Sequence, residues 1–502
     1  MVIWGTVDGR LGIYVAHAAH AAHATHAPCA VPRRLLLDRQ TSFSMVRAMP
    51  YRCHRLLLMM LAHAGMLANA GEAVQLTQVD DHLGWGWQAQ VLKNDLVTLA
   101  VVPAIGGRVM QYDLSDHAFL WVNPAEVGRT YEPTANAPWP NFGGYKSWVA
   151  PQGQWLRGGG GWPPSPTLDH GLYVATHQTG EHGEVTIITT GPPETLDGWQ
   201  AKGLSLTRRF TMRPRSTQVR VEQIIMNQGA FPQQVANWDA TQVPGIHAAA
   251  SDPDTFWIYF PINPRSMFGP RGFMVFPSDA RNGADSQWKN WSADNIAGVQ
   301  YLRRAGKIGA DVTGGWIAYV DEREGYTYVK RFSVNVLPDP AHYPDGGSTV
   351  QVSTIAHEPY MEIHVLGPLI DLPPQQQTSF IVDWYASRID GPILKASEAG
   401  VCKQRLAAVR QEKRARVTGV FGVFHQGTVE LLGLLAGESK NPPKTVSLGS
   451  YYVSPLEPLS LDVEVPLAPN IVGMSLILRD IDGKSQGELD RFVIPPADPT
   501  NR

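Results

Sequence analysis

From residue 71 to about 388 the chain reads as short apolar runs separated by Gly and Pro. Residues 96–102 (LVTLAVV) are apolar and β-branched and stop at Pro103. A Gly106-Gly107 turn follows, and residues 109–114 continue extended. Residues 219–225 and 316–320 have the same character. Helical periodicity is nearly absent over this span. Short β-rich segments bounded by turn residues predict a large antiparallel β-sandwich. No self-similarity appears at the roughly 20–50-residue periods of solenoids and propellers, so a propeller is disfavoured.

The pattern changes near residue 390. The tryptophans stop before residue 386, and residues 395–416 predict a helix that ends in the basic run Lys413, Arg414, Arg416. That helix reads either as a solvated linker or as a contact for an anionic partner. Beyond it, Leu459, Leu461, Val463 and Val465 alternate with Ser460, Asp462 and Glu464, the pattern of a half-buried strand. Asp482-Gly483 offers a hairpin turn. The expected organisation is a large β domain over 71–390, a linker helix over 391–416 and a small β-sandwich over 417–502.

The first seventy residues stand apart. Residues 1–44 contain HAAHAAHATHAP and no core pattern, which reads as an upstream start preceding Met45 or Met49, or as a His-rich metal-binding tail. Residues 45–70 then show Arg52 and Arg55, an apolar stretch at 56–68, and Ala68-Asn69-Ala70. These are the three parts of a secretory signal peptide, so the expected location is periplasmic or secreted, with cleavage near Ala70. Cleavage would remove Cys29 and Cys53 and leave Cys402, ruling out an internal disulfide.

Composition sharpens this picture. With 43% hydrophobic and 17% charged residues the chain is globular. Its 48 Gly and 39 Pro favour turn-rich β structure over a helical bundle. The formal net charge of −3 excludes a nucleic-acid footprint for the chain as a whole. No apolar run reaches the roughly 18 residues of a spanning helix.

Familiar catalytic signatures are missing. Gly144-Tyr145-Lys146-Ser147 lacks the glycine spacing of a phosphate loop, and HExxH, paired CxxC and GxSxG do not occur. The 158–161 glycine run is a loop between Trp155 and Trp162. The richest segment is HEPYMEIHVLGP at 357–368. In a strand, Tyr360, Glu362 and His364 share one face and Met361, Ile363 and Val365 the other, with Glu362 and His364 about 7 Å apart at the backbone. A carboxylate and an imidazole on one face can be base and acid, two ligands of a metal, or an exposed polar edge.

A second focus lies among aromatic residues in Gly/Pro-rich sequence: Trp139, Phe142, Tyr145, Trp148, Trp155 and Trp162. Their rings either pack a core or stack on the apolar faces of sugars, with Asn141, Lys146 and Gln152 bonding hydroxyls. His170 follows, in Leu168-Asp169-His170-Gly171. A third focus is Asn237-Trp238-Asp239, which reads as a cleft lining or a turn.

In this order, these segments resemble the galactose mutarotase-like superfamily over roughly residues 75–390. LAVVPAIGGRV at 99–109 resembles its opening strand and turn, and Asn141-Phe142-Gly143-Gly144 its Asn-x-x-His-Gly-Gly loop. Residues 227–239 resemble the strand leading to its Asn-His pair. Tyr360-Met361-Glu362 resembles the strand of its catalytic glutamate, and residues 380–385 its closing strand. The resemblance implies an all-β fold, a large antiparallel β-supersandwich, with a sugar-sized cleft and Glu362 as base. It is closest to an uncharacterised secreted bacterial branch. Two departures stand out: Trp238 holds the position of the family's acid histidine, and Phe142 that of its sugar-binding histidine. Neither side chain transfers a proton.

The expected function is an exported carbohydrate-active protein of epimerase, lyase or hydrolase type; the alternative is a non-catalytic glycan-binding protein with a degenerate site. Glu362, His170 and His364 are the candidate catalytic residues. Arg108, Asn141, Lys146, Trp148, Asn237, Trp238 and Tyr360 are the candidate substrate-binding residues. The expected partner is a carbohydrate; no cofactor and no metal are called for.

Overall fold

The computed structural model describes residues 3–7, 10–14, 73–136, 138–157, 159, 161–246, 255–276, 288–356, 358–436 and 444–494. The chain divides into two compact units, Met1–Ala70 and Gly71–Arg502. In the first unit, Ile3–Val7 and Arg10–Tyr14 pair as an antiparallel hairpin. The signal-peptide expectation at 45–70 lies outside the described residues, as does His357. No helix among the described residues is long and apolar enough to cross a membrane.

Two large antiparallel sheets build most of the second unit, as the sequence pattern predicts. One has twelve strands. Its middle runs, in spatial order, through Val350–Thr354, Tyr360–Leu366, Gln233–Pro244, Tyr145–Ala150 and Arg108–Leu114. The other has ten strands, with Tyr326–Phe332, Gln377–Ser387 and Val219–Asn227 at its centre. Each strand turns alternate side chains to opposite faces. Tyr145, Met361, Ile363 and Val365 therefore meet Phe210, Val221, Tyr328 and Trp384 of the facing sheet in one buried core. The opposite face of the twelve-stranded sheet is left to Lys146, Trp148, Trp238, Gln242, Glu362 and His364.

Two four-stranded sheets form the smaller C-terminal sandwich. Leu461, Val465, Leu476 and Leu478 fill its core, as the alternation at 459–465 predicts. Asp482 and Gly483 lie in the turn joining Ile471–Asp480 to Ser485–Val493. This sandwich shares an apolar layer with the ten-stranded sheet, where Phe424 stacks on Tyr385 at 4.5 Å between ring centroids.

The expected linker helix over 391–416 is not formed. Lys395–Ala396, Gly400–Gln411 and Arg414–Val423 are strands of the C-terminal sandwich. Ala, Gln, Lys and Arg favour a helix, but propensity is a weak prior that tertiary pairing overrides. Ala415, Val417 and Phe421 are buried at every second position, and Glu412, with φ 48°, turns the chain between the two long strands. Two members of the basic run pair within the sandwich: Arg416 with Asp462 and Arg414 with Glu464, across neighbouring strands.

Candidate functional site

Register assembles the site. Gln242 lies opposite Glu362, Ala240 lies opposite both His364 and Lys146, and Trp238 lies opposite Trp148. Side chains directly opposite on one face are neighbours, so residues far apart in sequence converge. The Glu362 carboxylate is the meeting point. Its Oε1 accepts from Lys146 Nζ at 3.0 Å and from Gln242 Nε2 at 2.9 Å. Its Oε2 lies 3.4 Å from His364 Nε2, a charge–dipole contact rather than a well-formed hydrogen bond. Glu362 keeps 14% of its side-chain surface exposed, while Lys146 and His364 keep 1% and 2%.

The protonation states follow from these contacts. Burial pushes the Glu362 carboxyl up, but Lys146 and His364 outweigh it and hold the group well below the usual carboxylate range. Burial pushes the Lys146 ammonium down, and Glu362 opposes that shift. Burial likewise lowers His364 to about 4, so its imidazole is neutral at ordinary pH. Trp238 Nε1 donates to His364 Nδ1 at 2.8 Å, which puts the remaining ring proton on Nε2, toward Glu362. A neutral His364 presents a hydrogen-bond donor toward Glu362.

A second buried carboxylate, Asp169, organises the neighbouring side of the face. Arg108 Nη2 reaches both of its oxygens at 2.9 Å, Trp148 Nε1 reaches Oδ1 at 2.7 Å, and Trp139 Nε1 reaches Oδ2 at 3.0 Å. Burial alone would raise this carboxyl; Arg108 reverses that and holds it well below its ordinary value. Asp169 reaches the site on the short helix Pro166–His170, capped by Ser165. The buried Glu194 secures this helix, accepting from the Ser165 hydroxyl, from Thr167 Oγ1 at 2.9 Å and from Leu196 N at 2.8 Å.

The candidate residues therefore fall into distinct positions. Glu362, His364, Lys146, Trp148 and Trp238 come together. Trp148 and Trp238 are buried edge to face, 5.3 Å apart, with both indole N–H groups engaged, so these rings order the site and offer little face for stacking. Trp139 and Trp162 are the half-buried rings, 4.9 Å apart. Arg108 is fully buried and spent on Asp169. His170 is buried beside Asp169, with Nδ1 3.5 Å from Oδ2, and does not contact Glu362. Asn141 donates to the Tyr360 hydroxyl at 3.1 Å, and Tyr360 stacks on Trp121 at 4.4 Å. Asn237 lies one residue out of phase with Trp238, so it faces the interior between the sheets and not this surface. Phe142 is core, packed on Trp87 at 5.8 Å.

Two contributors were not singled out by sequence. Gln242 follows a run of core residues, and Asp169 meets Arg108 across 61 positions. Next to His170, Asp169 was the one with a local signal.

Metal donors lie elsewhere. Among the described residues, His117, Asp321 and Glu324 bring ligand atoms within 4.8 Å of one another. They line a cavity of about 230 Å³ whose lining includes none of Lys146, Gln242, Glu362 and His364. At Glu362 itself, Oε1 is taken by the Lys146 ammonium and by Gln242 Nε2.

No family model matches the sequence, and no curated protein matches it. Solved structures similar to the chain include the Slr1438 protein from Synechocystis, at 14% identity and a TM-score of 0.41, covering 60% of this chain and 96% of that one. A galactose mutarotase-like protein from Lactobacillus casei is 9% identical, with a TM-score of 0.40, covering 59% and 99%. A galactose mutarotase related enzyme from Lactobacillus acidophilus is 8% identical, with a TM-score of 0.39, covering 60% and 98%.

Proposed function

We propose that the protein is an exported carbohydrate-active protein that receives a sugar on the Glu362 face of the twelve-stranded sheet, with Glu362 as the base. One observation carries the reading. Glu362 is a partly exposed carboxylate, held ionised chiefly by Lys146, and that same ammonium lies 5.8 Å from the centre of the half-buried Trp139 ring, which packs on Trp162 at 4.9 Å. Flat rings beside a few fixed polar groups suit the apolar faces and hydroxyls of a sugar ring. In this reading Lys146 supplies positive charge to an oxygen bound near Glu362, and His364 donates a neutral hydrogen bond.

The test is proton NMR of the protein with mono-, oligo- and polysaccharides. Anomeric exchange, olefinic signals or new reducing ends identify epimerase, lyase or hydrolase chemistry. Glu362→Gln should abolish turnover and retain binding; full activity in that variant would overturn the assignment. A second reading, glycan binding without turnover, is favoured by the neutral His364 and by Trp238 and Phe142 at the family's histidine positions. It predicts ligand line broadening with an unchanged covalent spectrum.

A further inference from the structure

The interior between the two large sheets holds a charged pair that the reading above does not use. Lys330, on Tyr326–Phe332 of the ten-stranded sheet, is fully buried and reaches across to the twelve-stranded sheet. Its ammonium donates to the Asp239 carboxylate, to Thr241 Oγ1 at 2.7 Å and to the Ile363 carbonyl at 3.1 Å, so all three protons are used. Asp239 also accepts from Gln223 Nε2 at 3.4 Å, and Gln223 Oε1 accepts from Ser147 Oγ at 2.8 Å. Every member of this network is buried.

Stability is a weak reason for such a pair, because apolar side chains of similar volume are often as stable or more so. The positions of its partners suggest another role. Ser147, Asp239 with Thr241, and Ile363 lie on three adjacent strands of the twelve-stranded sheet. Each alternates with residues of the opposite face. Ser147 sits between Lys146 and Trp148, Asp239 and Thr241 follow Trp238 and precede Gln242, and Ile363 sits between Glu362 and His364. The network therefore ties together, from behind, the three strands whose front side chains meet at Glu362. A one-residue slip of any of them would turn its front residues inward.

We propose that Lys330 and Asp239 are positioning residues that hold these three strands at the relative register and height at which Lys146, Gln242 and His364 converge on Glu362. The inference rests on the Glu362 face being the functional site, yet the geometry it concerns is measurable without a ligand. In the full chain with ¹⁵N-labelled indoles, the Trp238 N–H reports its bond to His364, and Trp87, which donates to the Arg129 carbonyl at 2.9 Å, is a control outside the network. The double variant Lys330→Met/Asp239→Leu should keep its melting temperature within a few degrees. The Trp238 indole signal should shift and broaden, the His364 titration should move up toward the ordinary histidine value of about 6.5, and Trp87 should stay unchanged. A folded double variant with native Trp238 and His364 signals would overturn the proposal. If the double variant does not fold, Thr241→Val decides, since it removes one acceptor and no charge. It should displace the same two signals to a smaller extent, and unchanged signals would equally overturn the proposal. Absence of any sugar-dependent change in the native chain would sink the carbohydrate reading and leave this result standing.

Discussion

Lys146 Nζ lies 3.0 Å from Glu362 Oε1 and 4.7 Å above the centre of the Trp148 ring, so one buried ammonium serves both the carboxylate and the aromatic wall. Removing one partner of a buried pair leaves the other charge uncompensated, at a cost of about 3–5 kcal/mol. Lys146→Met should therefore lower stability by that order in denaturant titration. Adding Glu362→Gln removes the stranded charge and should recover most of the loss. A Lys146→Met protein as stable as the native chain would show that the pair is not coupled in solution.

Acid should weaken the fold before Glu362 and Asp169 protonate. Burial lowers both His364 and His425 to about 4, against about 6.5 in an unfolded chain. Between those values the unfolded chain binds more protons, so stability falls as pH falls through that window. Each histidine contributes on the order of 3 kcal/mol. Glu362 and Asp169, held below their ordinary values, add a further loss at still lower pH. Melting temperatures between pH 7 and pH 4 should drop less in His364→Gln than in the native chain. Parallel curves for the two proteins would refute a neutral buried His364.

Much of this was legible locally, because period-two alternation is a local signal. Glu362 and His364 on one face, with Met361, Ile363 and Val365 in the core, follow from seven residues of sequence. Which side chains answer Glu362 does not, since Lys146 and Gln242 arrive 216 and 120 positions away through cross-strand register. The same limit hid Asp169. The strand Gly400–Gln411 was misread for the opposite reason: its helix-favouring composition is overruled by pairing with Arg414–Val423 on one side. Its register shifts near Cys402 and Gln404 blur the alternation that would have revealed it.

The Gly143-Gly144 pair carries a backbone requirement that places the Asn141 loop against the Gln242 strand. Gly143 has φ 89°, and a Cβ there would sit 2.3 Å from the Trp121 carbonyl oxygen. That carbonyl accepts from Gly144 N at 2.7 Å, while Trp121 N donates to the Gln242 carbonyl at 2.9 Å. Gly143→Ala combines a left-handed backbone with a clash against main chain, so relief requires moving the loop. A loss of at least about 2 kcal/mol is expected, with Tyr360 released from Asn141. Native stability in this variant would show that the loop has room the geometry denies.

Asp113 offers the converse case, a buried charge whose removal should help. It lies on Arg108–Leu114, where Oδ2 accepts from Gln111 Nε2 at 2.5 Å and Oδ1 is buried without a hydrogen-bond partner. Burial pushes its carboxyl up to about 6. For an acid raised on folding, the native chain binds the extra proton, so its favourable contribution is complete at low pH and is lost as pH rises through about 6. At pH 8 the ionised group should cost about 1–2 kcal/mol after allowance for its partial solvation. Asp113→Asn should therefore melt higher than the native chain at pH 8, with the gap closing as pH falls toward 4. A gap of constant size across that range would trace the effect to packing and refute burial of the charge as its cause.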